Sequence, residues 1–328
     1  RRRMKKDSKK SKKKPSDKKI KKIDKNKKKP EKKGLKGKIR IGPAGIPLSC
    51  KGRTHKDGVV YTKKVLDLDA IEIQFVRGLY VMTDEEAQFI REFSTENDIE
   101  VHVHAPYYIN LAGDPEEVKM SFEKIKNSAI MADKMGAKTV IIHPGFYGSN
   151  SEKITLNKII KNTGKIIDIL KKEKIKTNLG IETMGKQKVF GSIEEVVAVC
   201  KEVKDLIPVI DLGHIHARGN GCLKEREDFE RIFNLLKPLR LKHYLIHVTG
   251  VLYENGNEYY HIPIKKGDMP LMPLIDVILD NGYNVTLISE SPLLEHDAVY
   301  IRLQVEKAIM KRTGKETANY KDLSDIYG

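Results

Sequence analysis

The sequence predicts an α/β protein folded as a single (β/α)8 TIM barrel, and three observations carry that expectation. Between residues 39 and 311, short β-rich runs alternate eight times with longer stretches of helical period, the pattern of βα units around a parallel sheet. About 290 residues suit such a barrel, whose usual size is roughly 250 before insertions. Six of the eight runs end in, or one residue after, an imidazole or a carboxylate, which a barrel would gather at one mouth.

The β-rich runs cover 39–42, 70–75, 99–104, 139–143, 178–182, 208–211, 244–248 and 284–290. Helices are expected at 56–67, 83–97, 115–135, 152–174, 192–204, 225–237, 270–281 and 297–311. Asp114-Pro115-Glu116-Glu117 sets a capping aspartate and a first-turn proline ahead of acidic residues, and Gly136 closes that helix. Ser192 and Glu195 have capping-box spacing and open another. A doubly wound open sheet is the rival layout, and it needs a glycine-rich phosphate loop after an early strand. Gly42-Pro43-Ala44-Gly45 comes nearest and lacks the spacing.

Charge divides the chain. The net charge is +17, yet residues 1–38 hold 22 Lys or Arg against four acids, so the rest is close to neutral with 40 against 41. With no aromatic residue and few aliphatics, 1–38 cannot bury enough apolar surface to offset its ordering entropy, and it is expected to be a disordered tail. Its chemistry suits a phosphate backbone, where neutralised phosphates release counterions; a merely solubilising arm is the plainer alternative. Residues 39–328 are expected to form the catalytic barrel. No apolar run reaches the roughly 18 residues that span a bilayer, and no signal-peptide core opens the chain, so a cytoplasmic protein without membrane partners is expected. Cys50, Cys200 and Cys222 form no disulfide or zinc pattern, which leaves histidine and carboxylate as metal donors.

The strand ends and the loops that follow them supply His104, His143, Glu182, Asp211 with His214, His247 and Glu290. Each would be costly at the end of a buried strand unless partnered. His102 and His243 are expected as hydrogen-bonded interior residues, His55 and His296 at the surface, and His216 as a support behind His214. The donor mixture suits zinc, with manganese or iron(II) as alternatives. Glu182, central in the series, is placed to bridge two ions that could hold the attacking and leaving oxygens of a phosphoryl transfer.

Several motifs resemble the endonuclease IV family, part of the xylose-isomerase-like TIM barrel superfamily, in an archaeal-type form. They are His104-Ala105-Pro106-Tyr107-Tyr108-Ile109-Asn110-Leu111, His143-Pro144-Gly145, Gly180-Ile181-Glu182-Thr183, Asp211-Leu212-Gly213-His214, His247 and Ser289-Glu290-Ser291-Pro292. They occur in family order over most of 39–311. The resemblance implies a monomeric DNA-repair phosphodiesterase that cuts duplex DNA 5′ to abasic sites with zinc ions and a metal-bridged hydroxide, Glu182 and Glu290 serving catalysis. It implies a first zinc on His104, His143 and Glu182, a second on Glu182, Asp211, His247 and Glu290, and a third on His214 and His261. The third site departs from the family, because Tyr259 replaces the expected aspartate in Tyr259-Tyr260-His261. Asp268 or Glu258 are the carboxylates near enough in sequence to substitute. Tyr107 and Tyr108 match the loop that probes the DNA minor groove, and Arg77 is similarly placed after the second strand.

A second reading is a sugar isomerase or epimerase of the same superfamily, which uses the Glu182, Asp211, His247, Glu290 pattern around one metal and has no need of His104, His143 and His261. A third is a barrel that binds nucleic acid through its tail without catalysis.

Overall fold

A computed structural model describes residues 37–75 and 82–314 of the chain. The basic segment up to residue 36, Arg77 and the residues after 314 lie outside the described part.

Eight parallel strands form the sheet. They are β1 (Ile39–Pro43), β2 (Ala70–Gln74), β3 (Glu100–His104), β4 (Thr139–Ile142), β5 (Asn178–Glu182), β6 (Leu206–Asp211), β7 (Tyr244–Val248) and, after a hairpin of β8 (Gly250–Glu254) and β9 (Asn257–Ile262), β10 (Val285–Ser289). Their order is β1-β10-β7-β6-β5-β4-β3-β2. Helices α1 (His55–Lys64), α2 (Asp84–Glu96), α3 (Pro115–Met135), α4 (Glu152–Lys172), α5 (Ile193–Glu202), α6 (Leu212–Arg218), α7 (Arg226–Leu236), α8 (Leu271–Asn281) and α9 (Glu295–Thr313) connect them. All eight expected strands are present, the barrel replaces the open-sheet alternative, and the helix ends fall within about three residues of the expected ones. Asp114 caps α3 by accepting from the Glu116 and Glu117 amides, Gly136 ends it at φ +71°, and Ser192 with Glu195 closes a capping box on α5.

The ring closes where β1 meets β2. Ala44 and Glu72 form a single parallel bridge, the Gly45 amide donates to the Glu72 carbonyl at 2.8 Å, and the Asp69 amide donates to the Ile41 carbonyl at 3.1 Å. Gly42 lies inside this seam, and a Cβ there would overlap the Ala70 carbonyl. The glycine is therefore required for close approach rather than for an unusual φ.

Strand alternation sorts the residues into two populations. Outward side chains such as Ile71, Val103, Val140 and Ile181 are buried against the helices. Inward side chains stack in layers. At the amino-terminal end of the barrel, Glu100 accepts from Thr286 Oγ1 at 2.6 Å and meets His102 Nε2 at 2.8 Å, with Arg40 at 3.6 Å. Above it lies an apolar plug of Ala44, Ala70, Ile141, Val209, Leu245 and Ile288. The titratable strand ends sit above the plug. As expected, His102 is an interior residue and His296 is at the surface; His243 bonds Thr286 at 2.9 Å but is more exposed than an interior residue.

The β8–β9 hairpin was not expected. Asn255 and Gly256, both at positive φ, form its two-residue turn between β-rich segments, which is a recognisable hairpin signature. Among the described residues, no helix is long and apolar enough to cross a membrane.

Two substitutions separate the seam from ordinary local structure. Asp114→Ala is expected to cost about 1 kcal/mol, the usual worth of a helix cap. Gly42→Ala forces backbone apart at the closing strands and is expected to cost at least about 2 kcal/mol. Urea unfolding midpoints of the two variants check this; equal losses would show that the seam tolerates a methyl group.

Candidate metal centre

Glu182 ends β5 and is completely buried. Its two oxygens face different partners. Oε2 lies 3.1 Å from His104 Nε2 and 3.0 Å from His143 Nε2, whereas Oε1 lies 3.0 Å from His247 Nδ1 and 3.6 Å from His214 Nδ1. His104 comes from the end of β3, His143 from the residue after β4, and His247 from β7. Glu290, just after β10, brings Oε1 to 3.3 Å from His247 Nδ1. Asp211 ends β6 and caps α6, accepting from the His214 amide at 2.7 Å through Oδ1.

These side chains fall into three groups of metal-capable donors. His104, His143 and Glu182 form the first, Glu182, Asp211, His247 and Glu290 the second, and Asp211, His214 and His261 the third. Neighbouring groups share a carboxylate, first Glu182 and then Asp211. Every metal-site residue expected from the sequence is thus brought to one mouth.

Imidazole tautomers follow from the backbone. His104 Nδ1 donates to the Ala105 carbonyl at 2.8 Å, His214 Nδ1 to the Thr183 carbonyl at 2.8 Å, and His261 Nδ1 to the Glu290 carbonyl at 3.0 Å. Each ring spends one N–H on a carbonyl and turns its other nitrogen into the mouth. His214 Nε2 and His261 Nε2 consequently face each other at 3.3 Å, close enough for a single cation, a proton or a metal ion, to be shared between the two rings. Asp211 Oδ2 is buried with no hydrogen-bond donor. Both observations match the donor set to divalent cations.

A second carboxylate approaches the third group beside Asp211. Glu258 on β9 places Oε2 at 3.3 Å from His214 Nε2 and Oε1 at 3.6 Å from His261 Nε2. A Cβ on Gly185 would come within 2.7 Å of Glu258 Oε2, so the glycine makes room for this approach. Tyr259 points outward and donates to Glu254 at 2.5 Å. Asp268 is not available, because it is engaged by His216 at 2.9 Å, by Lys224, and by the Tyr253 hydroxyl at 2.9 Å. His216, whose Nδ1 accepts from the Leu223 amide, is turned to Asp268 and does not support His214.

Loops fix the rim. Arg218 donates to the Lys186 and Val189 carbonyls at 2.6 and 2.8 Å, and the Glu258 amide donates to the Gly185 carbonyl at 2.9 Å, tying the β5–α5 loop to the hairpin. The Tyr107 ring stacks on His143 with centroids 5.2 Å apart, covering the first group. Tyr108 projects its ring into solvent, 81% exposed, while its carbonyl accepts from Lys124 at 2.7 Å. The resulting cavity, about 560 Å³, is bordered by Tyr108, Phe146, Lys186, Lys188, Tyr259 and Tyr260.

The metal-free electrostatics are those of crowded carboxylates and imidazoles. Burial alone would lower His104, but its bond to Glu182 and the charges of Glu182, Glu72 and Glu290 push it up to about 9. His214, against the same opposing effect of burial, is pushed up to about 9 by Asp211, Glu258 and Glu182. Burial together with Glu182, Glu72 and Asp211 holds Glu290 well above the ordinary carboxylate range. Glu182 is held well below it, against burial, by the His104 and His143 hydrogen bonds.

Glu72 was not singled out from the sequence, since it sits in mid-strand on β2 rather than at a strand end. It is fully buried and 2.8 Å from His247 Nε2. A carboxylate inside an apolar run, Ala70-Ile71-Glu72-Ile73, was the signal available.

Comparisons with known proteins agree with the fold. Residues 63–306 match the family described as xylose isomerase-like TIM barrel. An uncharacterised protein of Methanocaldococcus jannaschii is 34% identical over 266 residues, 80% of this chain and 94% of its own. A probable endonuclease 4 of Mycoplasmopsis pulmonis is 31% identical over 221 residues, 65% of this chain and 78% of its own. Among solved structures, endonuclease IV from Thermus thermophilus superposes with TM-score 0.63 at 18% identity, covering 81% of this chain and 99% of that one. A D-tagatose 3-epimerase-like protein does so with TM-score 0.62 at 21% identity, covering 85% and 100%. At those identities the structural likeness concerns the fold alone.

Metal uptake should depend on pH in a defined direction. His104 and His214 hold protons below about 9 in the metal-free protein, and a metal ligand must be neutral, so binding expels them. Apparent zinc affinity is therefore expected to climb by about tenfold per pH unit for each site as pH rises towards 9 and then to level off. Calorimetry in buffers of different ionisation enthalpy would count the released protons; none released at pH 7 would contradict the protonated imidazoles.

Proposed function

Because the chain belongs to the xylose isomerase-like TIM barrel family, we propose that its mouth is a multinuclear metal centre that hydrolyses DNA phosphodiesters 5′ to abasic sites. The observation that carries this reading is the two-sided use of Glu182, one oxygen towards His104 and His143 and the other towards His247. A shared carboxylate between two donor groups suits two or three zinc or manganese ions, held by His104, His143, Glu182, Asp211, His247, Glu290, His214, His261 and Glu258. When bound, such ions supply the Lewis-acid charge that phosphodiester hydrolysis needs.

The chain's own residues would do the rest. Glu182 and Glu290 keep the donor groups in register. Lys186 and Lys188 bring positive charge to the rim, where DNA phosphates would lie. Tyr108 offers a free aromatic face for stacking or wedging at the minor groove, and Tyr107 limits access above His143. An abasic nucleotide, having no base to unpair, would enter the cavity at low cost. The Lys-rich segment 1–38 would add sequence-independent attraction to the phosphate backbone. Names of relatives support this reading, since a probable endonuclease 4 is 31% identical.

A sugar epimerase is the second reading. The group Glu182, Asp211, His247 and Glu290 favours it, as those residues by themselves make one four-donor site. His104, His143, His214 and His261 weigh against it, because a single-metal proton transfer has no use for four further imidazoles in the mouth.

The test is a duplex carrying one stable abasic analogue, incubated with protein and zinc or manganese. Cutting 5′ to the lesion is expected. Glu182→Ala is expected to reduce it by at least about a thousandfold, the size of effect when several kcal/mol of metal stabilisation are lost. Tyr108→Ala should weaken binding of the lesion duplex while leaving zinc content unchanged. Epimerisation of a ketohexose, with no cutting by folded protein under either metal, would decide for the second reading.

A further inference from the structure

We infer that Glu72 is a positioning residue for the metal centre, acting through His247. It rests on the metal-centre part of the proposed function and not on the identity of the substrate. Glu72 lies one layer below the mouth on β2, with its side chain wholly inaccessible. Its Oε2 is 2.8 Å from His247 Nε2, and its Oε1 accepts from Gln74 Nε2 at 2.6 Å. Both carboxylate oxygens are thus engaged away from the mouth, and Glu72 belongs to none of the three donor groups.

The consequence falls on His247. Among the described residues, no backbone carbonyl fixes the tautomer of this ring, unlike His104, His214 and His261, which donate through Nδ1 to Ala105, Thr183 and Glu290. Its Nδ1 instead faces Glu182 at 3.0 Å, Glu290 at 3.3 Å and Asp211 at 3.9 Å, which is where a metal would be held. Only with the proton on Nε2 is the Nδ1 lone pair free for that role, and Glu72 is the group that accepts an Nε2–H. The same bond sets the ring plane, since His247 cannot rotate without breaking it. A carboxylate behind a ligating imidazole also raises its basicity, and loss of such a partner costs about 10- to 100-fold in metal affinity. Glu72 additionally joins the closing strand pair through its backbone, so the bond to His247 ties the seam between β1 and β2 to the strand on the far side of β10.

A purely structural role predicts something different, which makes the inference testable without any substrate. Zinc affinity is measured by competition with a chromogenic chelator, ions retained after dialysis are counted, and thermal midpoints are recorded with and without zinc. Glu72→Ala is expected to lower the affinity of the ion held through His247 by about 10- to 100-fold and to shrink the zinc-induced rise in midpoint. Glu72→Gln keeps an acceptor oxygen without the charge and is expected to fall between wild type and alanine. Should the alanine variant fail to fold, the glutamine variant decides, a loss of about tenfold supporting the inference. Wild-type affinity in a folded variant overturns it, as does a lower metal-free midpoint with an unchanged rise on adding zinc. Wild-type protein that retains no ion would sink the metal centre and Glu72's role together. A centre that retains zinc but fails to cut abasic DNA would leave Glu72's role standing and remove only the nuclease.

Discussion

A carboxylate held entirely out of water must be neutralised, and at the end of β5 this requirement organises everything around Glu182. Four imidazoles from four different strand ends or loops lie within 3.6 Å of its oxygens. Desolvation of a lone carboxylate would cost far more than a hydrogen bond returns, so the carboxylate is tolerable only with protons or metal ions between it and its neighbours. The remaining acids make the same demand. Asp211 Oδ2 has no donor, and Glu290 is forced towards its neutral form by burial and by the carboxylates beside it. Such an assembly of negative groups is a poor device for stability and a good one for collecting cations.

The barrel satisfies this demand with modest local means. Backbone carbonyls at Ala105, Thr183 and Glu290 decide which nitrogen His104, His214 and His261 turn inwards. The short helix α6 exists at the spot where Asp211 caps it, so the same side chain starts a helix and faces the mouth. Glycines appear where backbone or ligand must come close, as at Gly42 in the seam and Gly185 beneath Glu258. The hairpin then folds over one side of the opening and supplies two donors, Glu258 and His261, that no barrel strand provides.

Much of this was legible in the residues. Strands announced themselves by β-rich runs ending in His, Glu or Asp, and the helices by capping pairs such as Asp114 with Glu117. What stayed hidden depended on long-range geometry. Whether Glu258 or Asp268 faces His214 turns on the hairpin's course and on Lys224 and Tyr253, which claim Asp268. Glu72 stayed hidden because a mid-strand acid carries no local sign of a partner 175 residues away. The hairpin itself was signalled by Asn255-Gly256, but its β-rich arms lie within one βα connection, where a helix is the ordinary expectation. Arg77 lies outside the described residues.

The apolar plug between the two polar layers has a consequence of its own. Ala44, Ala70, Ile141, Val209, Leu245 and Ile288 separate the Glu100 cluster at one end from the donors at the other, with no polar residue shared between them among the described residues. No hydrogen bond crosses this septum among the described residues, so no relay passes a proton from one polar layer to the other. Substitutions at the two ends should then behave additively. A lineage could accordingly rewrite the chemistry of the mouth, adding or discarding an ion, while the far end continues to anchor the strands unchanged.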